Sequence, residues 1–294
     1  MPELLPSTFS IVAVDRAAGE IGVAVQSKFL SVGAAVPYAR ADVGAIATQA
    51  FCNTTYGPRG LALLAGGAAP EDVLRTLLAD DAGREDRQAG IVDMLGRSAS
   101  FTGSRCIATA GGIAGDGFAV QGNCLASPAV YAAMADAFLT SSGALADRLV
   151  TALAAAQAQG GDKRGQQSAA LVIEKPQGGY AGFNDRYVDL RVDDHPRPID
   201  ELARILELHK LYFFPPEPQD VYPIDGALGA EIVRQLVRVR ALAAPTPSYD
   251  SEAAGALTAF MHVENLENRC RDDGTIDRQT LAYLRAYDPD VSYQ

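Results

Sequence analysis

The chain has 294 residues, of which 48% are hydrophobic, and its formal net charge is −11. That apolar content is enough to bury a sizeable core, and the length suits one large domain or two smaller ones. The excess of acidic residues argues against partners such as nucleic acid and anionic membranes, because these carry negative charge themselves.

The first residues, Met1 to Pro6, contain neither a basic segment nor an apolar segment of about 7–15 residues, so we predict no signal peptide and a cytoplasmic location. No stretch approaches the roughly 18 consecutive apolar residues of a membrane-spanning helix. The chain has four cysteines, none in a CxxC pair, and three histidines. The sequence therefore predicts no metal site and no cofactor.

Two β-rich segments open the chain, and the four-residue turn Arg16 to Gly19 separates them. Their alternation and their β-branched residues predict strands over residues 8–15 and 20–27, joined as a hairpin. Apolar segments bounded by turn residues predict further strands over residues 42–49, 89–93, 98–102, 117–123, 168–174 and 187–192.

Helix signals occur in pairs between these strands. Pro70 suits a first helical position, and Glu71 and Asp72 suit the first turn of a helix. Helices are predicted over residues 58–66, 70–79, 128–139, 144–159 and 198–212. Strands followed by pairs of helices, without strict alternation, favour antiparallel sheets covered by helices.

A proline-rich segment, residues 214–218, interrupts these elements and predicts a linker between two domains, residues 1–213 and 219–294. Helix-like segments over residues 225–242, 251–264 and 277–287 predict that the second domain is small and helical.

Many separate segments resemble, in the same order, an uncharacterised family with an N-terminal-nucleophile hydrolase-like fold. They include TFSIVAVD, GVAVQSKF, VGAIATQA, TTYGPRGLALL, RQAGIVD, VQGN, GGDKRGQQSAAL and DLRVDDHP. The resemblance covers about residues 8–212 and implies an α+β fold, a four-layer αββα sandwich. The tail resembles a peptidoglycan-binding helical module through Ser251 to Phe260 and Asp273 to Asp277.

Thr8 heads the first predicted strand, where the resemblance implies a nucleophile. In such hydrolases the nucleophile's own α-amine, with a pKa of roughly 7.7–8.0, takes the hydroxyl proton. Met1 to Ser7 precede Thr8 here, so this mechanism requires cleavage after Ser7. The alternative is that Thr8 simply begins a strand.

Lys28 and Gln26 close the second predicted strand, near the level of Thr8 if the hairpin pairs in simple register. A desolvated lysine with a lowered pKa could act as the base without any cleavage. Gln26 could orient the site, where the resemblance implies an acidic residue instead. The alternative is that both are ordinary polar residues at the end of a strand.

Two loops could stabilise an oxyanion. Residues 49–57, beginning at Gln49 and including Asn53, lead from the third strand into a helix and present free N–H groups. Asn123 closes another strand beside Gly122, which permits close approach of a substrate. The alternative is that Asn53 and Asn123 satisfy local backbone groups.

Asp162 and Arg164 lie in the glycine-bracketed loop 160–168, before a buried strand. An arginine there could bind a carboxylate on the substrate through two hydrogen bonds, unless it only pairs with Asp162.

We therefore predict a hydrolase that uses Thr8 to cleave a small amide or peptide-like C–N bond, and leave open whether it is a homo-oligomer. The alternative is a non-catalytic binding or scaffold protein whose helical tail recruits a partner, because a hydrolase-like fold does not establish a reaction.

Overall fold

The computed structural model describes residues 8–291. Met1 to Ser7, whose removal the nucleophile hypothesis requires, lie outside the described residues, as do residues 292–294. The chain divides into two compact units, one ending at Leu206 and the other beginning at Glu207. Within residues 8–291, none of the helices is both long enough and apolar enough to cross a bilayer.

From Thr8 onwards, the described part of the first unit contains ten strands, in chain order β1 (Thr8–Asp15), β2 (Glu20–Ser27), β3 (Pro37–Arg40), β4 (Gly44–Ala50), β5 (Arg87–Asp93), β6 (Ser98–Thr102), β7 (Gly111–Gly115), β8 (Phe118–Asn123), β9 (Ser168–Glu174) and β10 (Arg186–Val192). Six form one sheet in the order β10-β9-β2-β1-β8-β7, and four form another in the order β3-β4-β5-β6. Every paired strand is antiparallel to its neighbour, which confirms antiparallel sheets.

Five helices belong wholly or partly to this unit, namely α1 (Tyr56–Ala65), α2 (Pro70–Ala79), α3 (Ala129–Thr140), α4 (Leu145–Ala158) and α5 (Pro198–Phe213). Helices α1 and α2 contact the four-stranded sheet, and α3 and α4 contact the six-stranded sheet. An apolar cluster with Val12 and Val23 from one sheet and Ala47 and Val92 from the other lies between the sheets. The apolar faces of both sheets are thus buried.

Strand β1 is central in its sheet, with β2 on one side and β8 on the other. Thr8 is paired with Ser27 of β2 and with Asn123 of β8. Because side chains alternate along a strand, Thr8 shares its face with Ser10, which bonds to Gln49 of the other sheet. The Thr8 side chain therefore lies on the face that is turned towards the four-stranded sheet.

The sequence did not predict strands β3 and β7. Strand β3 begins with Pro37 and is only half-buried, and β7 is the glycine-rich GGIAG, mostly exposed. Both are edge strands, which carry little of the apolar pattern that identifies buried strands.

The loop after β4 is anchored by Asp81, at the end of α2. The Asp81 carboxylate accepts hydrogen bonds from Asn53 Nδ2 (2.9 Å), Tyr56 Oη (2.9 Å), Arg87 Nε (2.9 Å) and the Gly83 N–H (2.7 Å). The Arg87 guanidinium, through this hydrogen bond, holds the pKa of Asp81 well below its usual range. These bonds fix the loop that leads into α1.

Up to residue 291, the second unit contains a short antiparallel pair of strands, β11 (Val221–Pro223) and β12 (Thr275–Asp277), and three helices that follow α5, namely α6 (Gly226–Arg238), α7 (Ser251–Val263) and α8 (Arg278–Ala286). The three helices confirm the helical segments predicted for this part of the chain. Their buried side chains form one apolar cluster that includes Ile232, Leu236, Phe260 and Leu284.

A buried ion pair joins Arg269 and Asp277 in this unit, at 3.0 Å between Nη1 and Oδ1. Arg269 also donates to the carbonyls of Lys210, Leu211 and Phe214, near the end of α5. Asp277 accepts the N–H groups of residues 279 and 280 and so caps α8. One arginine thus satisfies the carbonyl groups of one helix and binds the capping residue of another.

We expect the Asp81→Asn variant to be less stable than the parent by about 2–4 kcal/mol at neutral pH, because Arg87 loses a largely buried anionic partner. The lowered pKa of Asp81 stabilises the folded protein above the unfolded-state value of about 3.9, and that stabilisation is lost as the pH falls through the folded-state value. Urea unfolding at several pH values should show the difference between variant and parent shrinking in acid.

The control is Asp80→Asn, which removes a neighbouring carboxylate from a solvent-exposed pair with Arg59 and should change stability little. Equal losses for both variants, or a difference between Asp81→Asn and the parent that does not depend on pH, would contradict this account of the loop.

We expect Arg269→Met to destabilise the second unit by about 3–5 kcal/mol, because it leaves Asp277 buried without its cation. Hydrogen exchange of the full chain should become faster in α7 and α8 and stay unchanged in β1 and β2. Arg271→Met is the control, because Arg271 pairs with Asp273 at the surface. A similar acceleration of hydrogen exchange in both variants would contradict the claim that the buried ion pair stabilises the second unit more than the surface pair does.

Candidate functional site

The candidate site lies at the end of the six-stranded sheet where β1 begins and where β2 and β8 end. Thr8 Oγ1 donates a hydrogen bond to Ser27 Oγ at 3.2 Å. Asn123 is the partner of Thr8 on the opposite strand. Three polar residues from three adjacent strands thus occupy one row across the sheet. Thr8 is only 1% exposed in the full chain.

A buried layer of amide side chains lies beside this row, between the two sheets. Gln49 of β4 donates from Nε2 to the carbonyl oxygen of Thr8 (3.3 Å) and to Gln88 Oε1 (2.8 Å). Gln49 Oε1 accepts from Ser10 Oγ at 2.5 Å, and Gln121 Nε2 donates to Ser10 Oγ at 2.6 Å. All these side chains are buried, so they stabilise the fold only because they bond to each other.

Gln88 of β5 lies in this layer and bonds across to the six-stranded sheet. It accepts from Asn123 Nδ2 at 3.0 Å and donates to the Gly122 carbonyl at 2.8 Å. Two residues along β5, Gly90 leaves room for Gln121, because a Cβ atom there would overlap the Gln121 amide. A larger residue at position 90 would therefore push the Gln121 amide away from its bond to Ser10.

Asn123, predicted as an oxyanion donor, lies beside Thr8 as expected, but one of its Nδ2 hydrogens goes to Gln88. Gln49, predicted for the same role, contacts the Thr8 carbonyl oxygen through Nε2. Gln49 therefore supports the backbone of Thr8, and the same Nε2 also donates to Gln88.

Asn53, the third predicted donor, lies with the helix layer. Its Nδ2 donates to Asp81, and its Oδ1 accepts from the N–H and Oγ1 of Thr55. The side chain therefore closes a local turn and anchors the loop, as expected from the alternative that Asn53 satisfies local backbone groups.

Gln26 and Lys28 do not join Thr8 on its face of the sheet. Gln26 is paired with Phe9 and so lies on the opposite face from Thr8 and Ser27, buried. Neither of its side-chain amide atoms has a hydrogen-bond partner among the described residues. Lys28 is exposed, with Nζ 3.4 Å from the Gln166 carbonyl oxygen, so it lacks the desolvation that a base role requires.

Asp162 and Arg164 bond to each other and to the end of β2. Asp162 is buried and accepts from the Lys28 N–H at 3.1 Å and from Arg164 Nη2 at 3.0 Å. The Arg164 side chain is about one-third exposed (34%). The loop is thus tied to the strand that carries Ser27, and the guanidinium keeps a surface that solvent can reach.

Ser10, Ser27, Gln88 and Gln121 belong to this site, although sequence reasoning did not select them. One signal was available, because a four-residue turn between Asp15 and Glu20 sets the register that pairs Thr8 with Ser27. No group of three histidine, cysteine or acidic side chains in residues 8–291 is arranged to hold a metal ion.

A family model described as a family of unknown function (DUF1028) matches residues 8–202. A second model, described as "Putative peptidoglycan binding domain", matches residues 212–284. The chain is also similar to the crystal structure of protein SPO2555 from Silicibacter pomeroyi, a DUF1028 protein. The two are 33% identical with a TM-score of 0.64, over 71% of this chain and 91% of the other. The comparison with curated proteins finds no match.

The first family model spans well over half of the chain, and it includes Thr8 and every other residue of the site. The related crystal structure is matched over nearly its whole length. The resemblance to an uncharacterised family is therefore confirmed: this chain belongs to the DUF1028 family of unknown function.

Proposed function

We propose that the first unit is a hydrolase of small amide or peptide-like C–N bonds, in which Thr8 is the nucleophile once it becomes the first residue of the chain. The observation that carries this proposal is the position of Thr8. It heads the central strand, with its Oγ1 on Ser27 Oγ and with Asn123 as its neighbour on the other side. We further propose that the unit is a four-layer αββα sandwich of the N-terminal-nucleophile hydrolase type.

The geometry favours the α-amine of Thr8 over Lys28 as the base. A general base must lie within about 2.6–3.2 Å of the hydroxyl, directly or through one water molecule. The α-amine belongs to the same residue as Oγ1, whereas Lys28 is exposed and its Nζ faces the Gln166 carbonyl. While Thr8 is joined to Ser7, this nitrogen belongs to a peptide bond and has no basicity.

The full-length chain is therefore expected to be a poor catalyst. Its Thr8 has no free amine, and its hydroxyl is nearly inaccessible to a substrate. Cleavage between Ser7 and Thr8 would supply the base, and the side-chain amide of Asn123, the neighbour of Thr8 on β8, would contribute to stabilising the oxyanion.

The substrate proposed is an amide that carries a carboxylate. Arg164 is held by Asp162 next to the end of β2, and its guanidinium remains partly exposed. Lys28 follows Ser27 directly and is exposed as well. Two cations near the end of β2, in a chain of net charge −11, favour an anionic group at this end of the sheet.

A second candidate is a non-catalytic binding protein, and the burial of Thr8 favours it. On that account the match of residues 212–284 to a peptidoglycan-binding model indicates where a partner would bind. The two functions differ in whether removal of Met1 to Ser7 creates turnover.

We expect a protein that begins at Thr8 to hydrolyse carboxylate-bearing amides and the full-length chain to do so poorly. In the Thr8-start protein, Thr8→Ala should reduce kcat at least about 10³-fold, because it removes the nucleophile. Turnover of a panel of such amides by the three proteins measures this. Thr8→Ser, which keeps a hydroxyl, should retain most of the activity.

Equal activity in full-length, Thr8-start and Thr8→Ala proteins would exclude Thr8 from the mechanism. Thr8→Val keeps the shape of the side chain but loses the hydroxyl. A Thr8→Val variant that folds but is inactive would show that the loss of activity comes from the missing hydroxyl and not from reduced stability. If none of the proteins turns over any amide, and if the full-length and Thr8-start proteins bind carboxylate-bearing amides with the same affinity, the result would favour the binding protein.

We expect Lys28→Met in the Thr8-start protein to keep kcat within about tenfold, because losing a general base costs about 10²–10⁴-fold and Lys28 is not the base. Lys163→Met is the matched control, since Lys163 Nζ also donates to a backbone carbonyl, that of Ala108. A loss beyond 10²-fold in Lys28→Met alone would assign the base to Lys28.

A further inference from the structure

Gln88 is the residue through which the second sheet reaches the Thr8 site. It belongs to β5 of the four-stranded sheet and is the cross-strand partner of Gln49. Its side chain is buried and makes five hydrogen bonds within the described residues, to Gln49, Thr102, Gly111, Gly122 and Asn123. Three of those partners belong to β7 and β8 of the six-stranded sheet.

The partners of Gln88 determine the orientation of its side-chain amide. Its Nε2 faces two carbonyl oxygens, those of Gly122 (2.8 Å) and Gly111 (3.2 Å), which can only accept hydrogen bonds. Its Oε1 faces two donors, Gln49 Nε2 (2.8 Å) and Asn123 Nδ2 (3.0 Å). A flipped amide would place oxygen against oxygen and NH2 against NH2, so a single orientation satisfies all the groups.

This orientation extends to the two residues beside Thr8. Because Gln88 presents an oxygen to them, Gln49 and Asn123 must both turn their NH2 groups towards it. Gln49 then donates to the Thr8 carbonyl and accepts from Ser10. Asn123, which lies next to Thr8, directs its NH2 group to Gln88.

We propose that Gln88 is a positioning residue of the Thr8 site, which holds the amides of Gln49 and Asn123 in the orientation that the site requires. Gln88 itself does not touch the reacting atoms. Its effect on turnover rests on the proposed function of Thr8, whereas its effect on the two amides can be observed without any substrate.

Gln88→Leu removes the oxygen that both amides share and leaves their NH2 groups without this acceptor. Gln49 keeps its bonds to Thr8 and Ser10 but loses one acceptor, whereas Asn123 loses its bond to Gln88, so the proposed oxyanion donor is displaced. A displacement of about 1 Å at a reacting centre reduces turnover by about 10²-fold. We expect kcat to fall by that factor in the Thr8-start protein, with little change in KM, because Gln88 does not contact the substrate.

Gln88→Glu provides a readout that depends on pH. One oxygen of the introduced carboxyl would face the two carbonyl oxygens, so the group prefers to stay protonated and to donate there. Its pKa in the folded protein is therefore raised above the ordinary value of about 4.3. The network persists below the raised pKa and is lost as the pH rises through it, so the turnover of Gln88→Glu relative to that of the parent at the same pH falls over this range.

The experiment has two arms. In full-length protein, the side-chain NH2 resonances of Gln49 and Asn123 are compared by NMR in the parent, in Gln88→Leu and in Gln88→Glu. In the Thr8-start protein, kcat and KM are measured for the same variants across pH. The control is Leu77→Ala, a cavity in the helix layer over the four-stranded sheet, which should lower stability while leaving the NH2 resonances and kcat unchanged.

The proposal predicts shifted NH2 resonances in Gln88→Leu, and in Gln88→Glu only at high pH. Unchanged resonances in a folded Gln88→Leu variant would overturn it. If Gln88→Leu does not fold, the pH dependence of Gln88→Glu decides in its place. Shifted resonances without turnover in any protein would support the positioning role of Gln88 and contradict the proposed hydrolase function. Failure of the Gln88 proposal and failure of the proposed function therefore give different results.

Discussion

The first unit depends on a layer of amide groups buried between its two sheets. Each buried amide costs several kcal/mol unless its donors and acceptors are satisfied. Gln49 bonds to Gln88 and to the Gln121 carbonyl, and Gln88 bonds to Asn123, only at one relative position of the sheets, with Gly90 providing room for the Gln121 side chain. Apolar side chains alone would allow the sheets to slide, whereas this layer fixes their register and with it the surroundings of Thr8.

The same layer explains why a polar residue can begin the central strand while it is buried. Thr8 bonds to Ser27 through its hydroxyl and to Gln49 through its carbonyl oxygen, so its polar groups have partners without water. If Thr8 is the nucleophile, as proposed, its hydroxyl is oriented before substrate arrives, which favours efficient attack. Thr8 is 1% exposed, so a substrate would have to gain access to a buried hydroxyl.

Much of the fold followed from local pattern. The hairpin of β1 and β2 and the helix at Pro70–Ala79 are as predicted, because apolar alternation and a proline at the first helical position are local signals. The site was less predictable. The Gln26 side chain lies on the face opposite to Thr8, which the hairpin register implies but strand-end position does not show. Gln88 contacts Asn123 only because the two sheets pack together, and the spacing of these residues in the sequence does not predict that contact.

The central claim is that Thr8 works with a free α-amine of its own. The most direct measurement is the intact mass and N-terminal sequence of the protein isolated from its native cells, together with the amide turnover of the same preparation. The account predicts that the active material begins at Thr8 and that turnover increases with the fraction of chains cleaved there. Turnover by chains that retain Ser7, at a rate independent of that fraction, would contradict it.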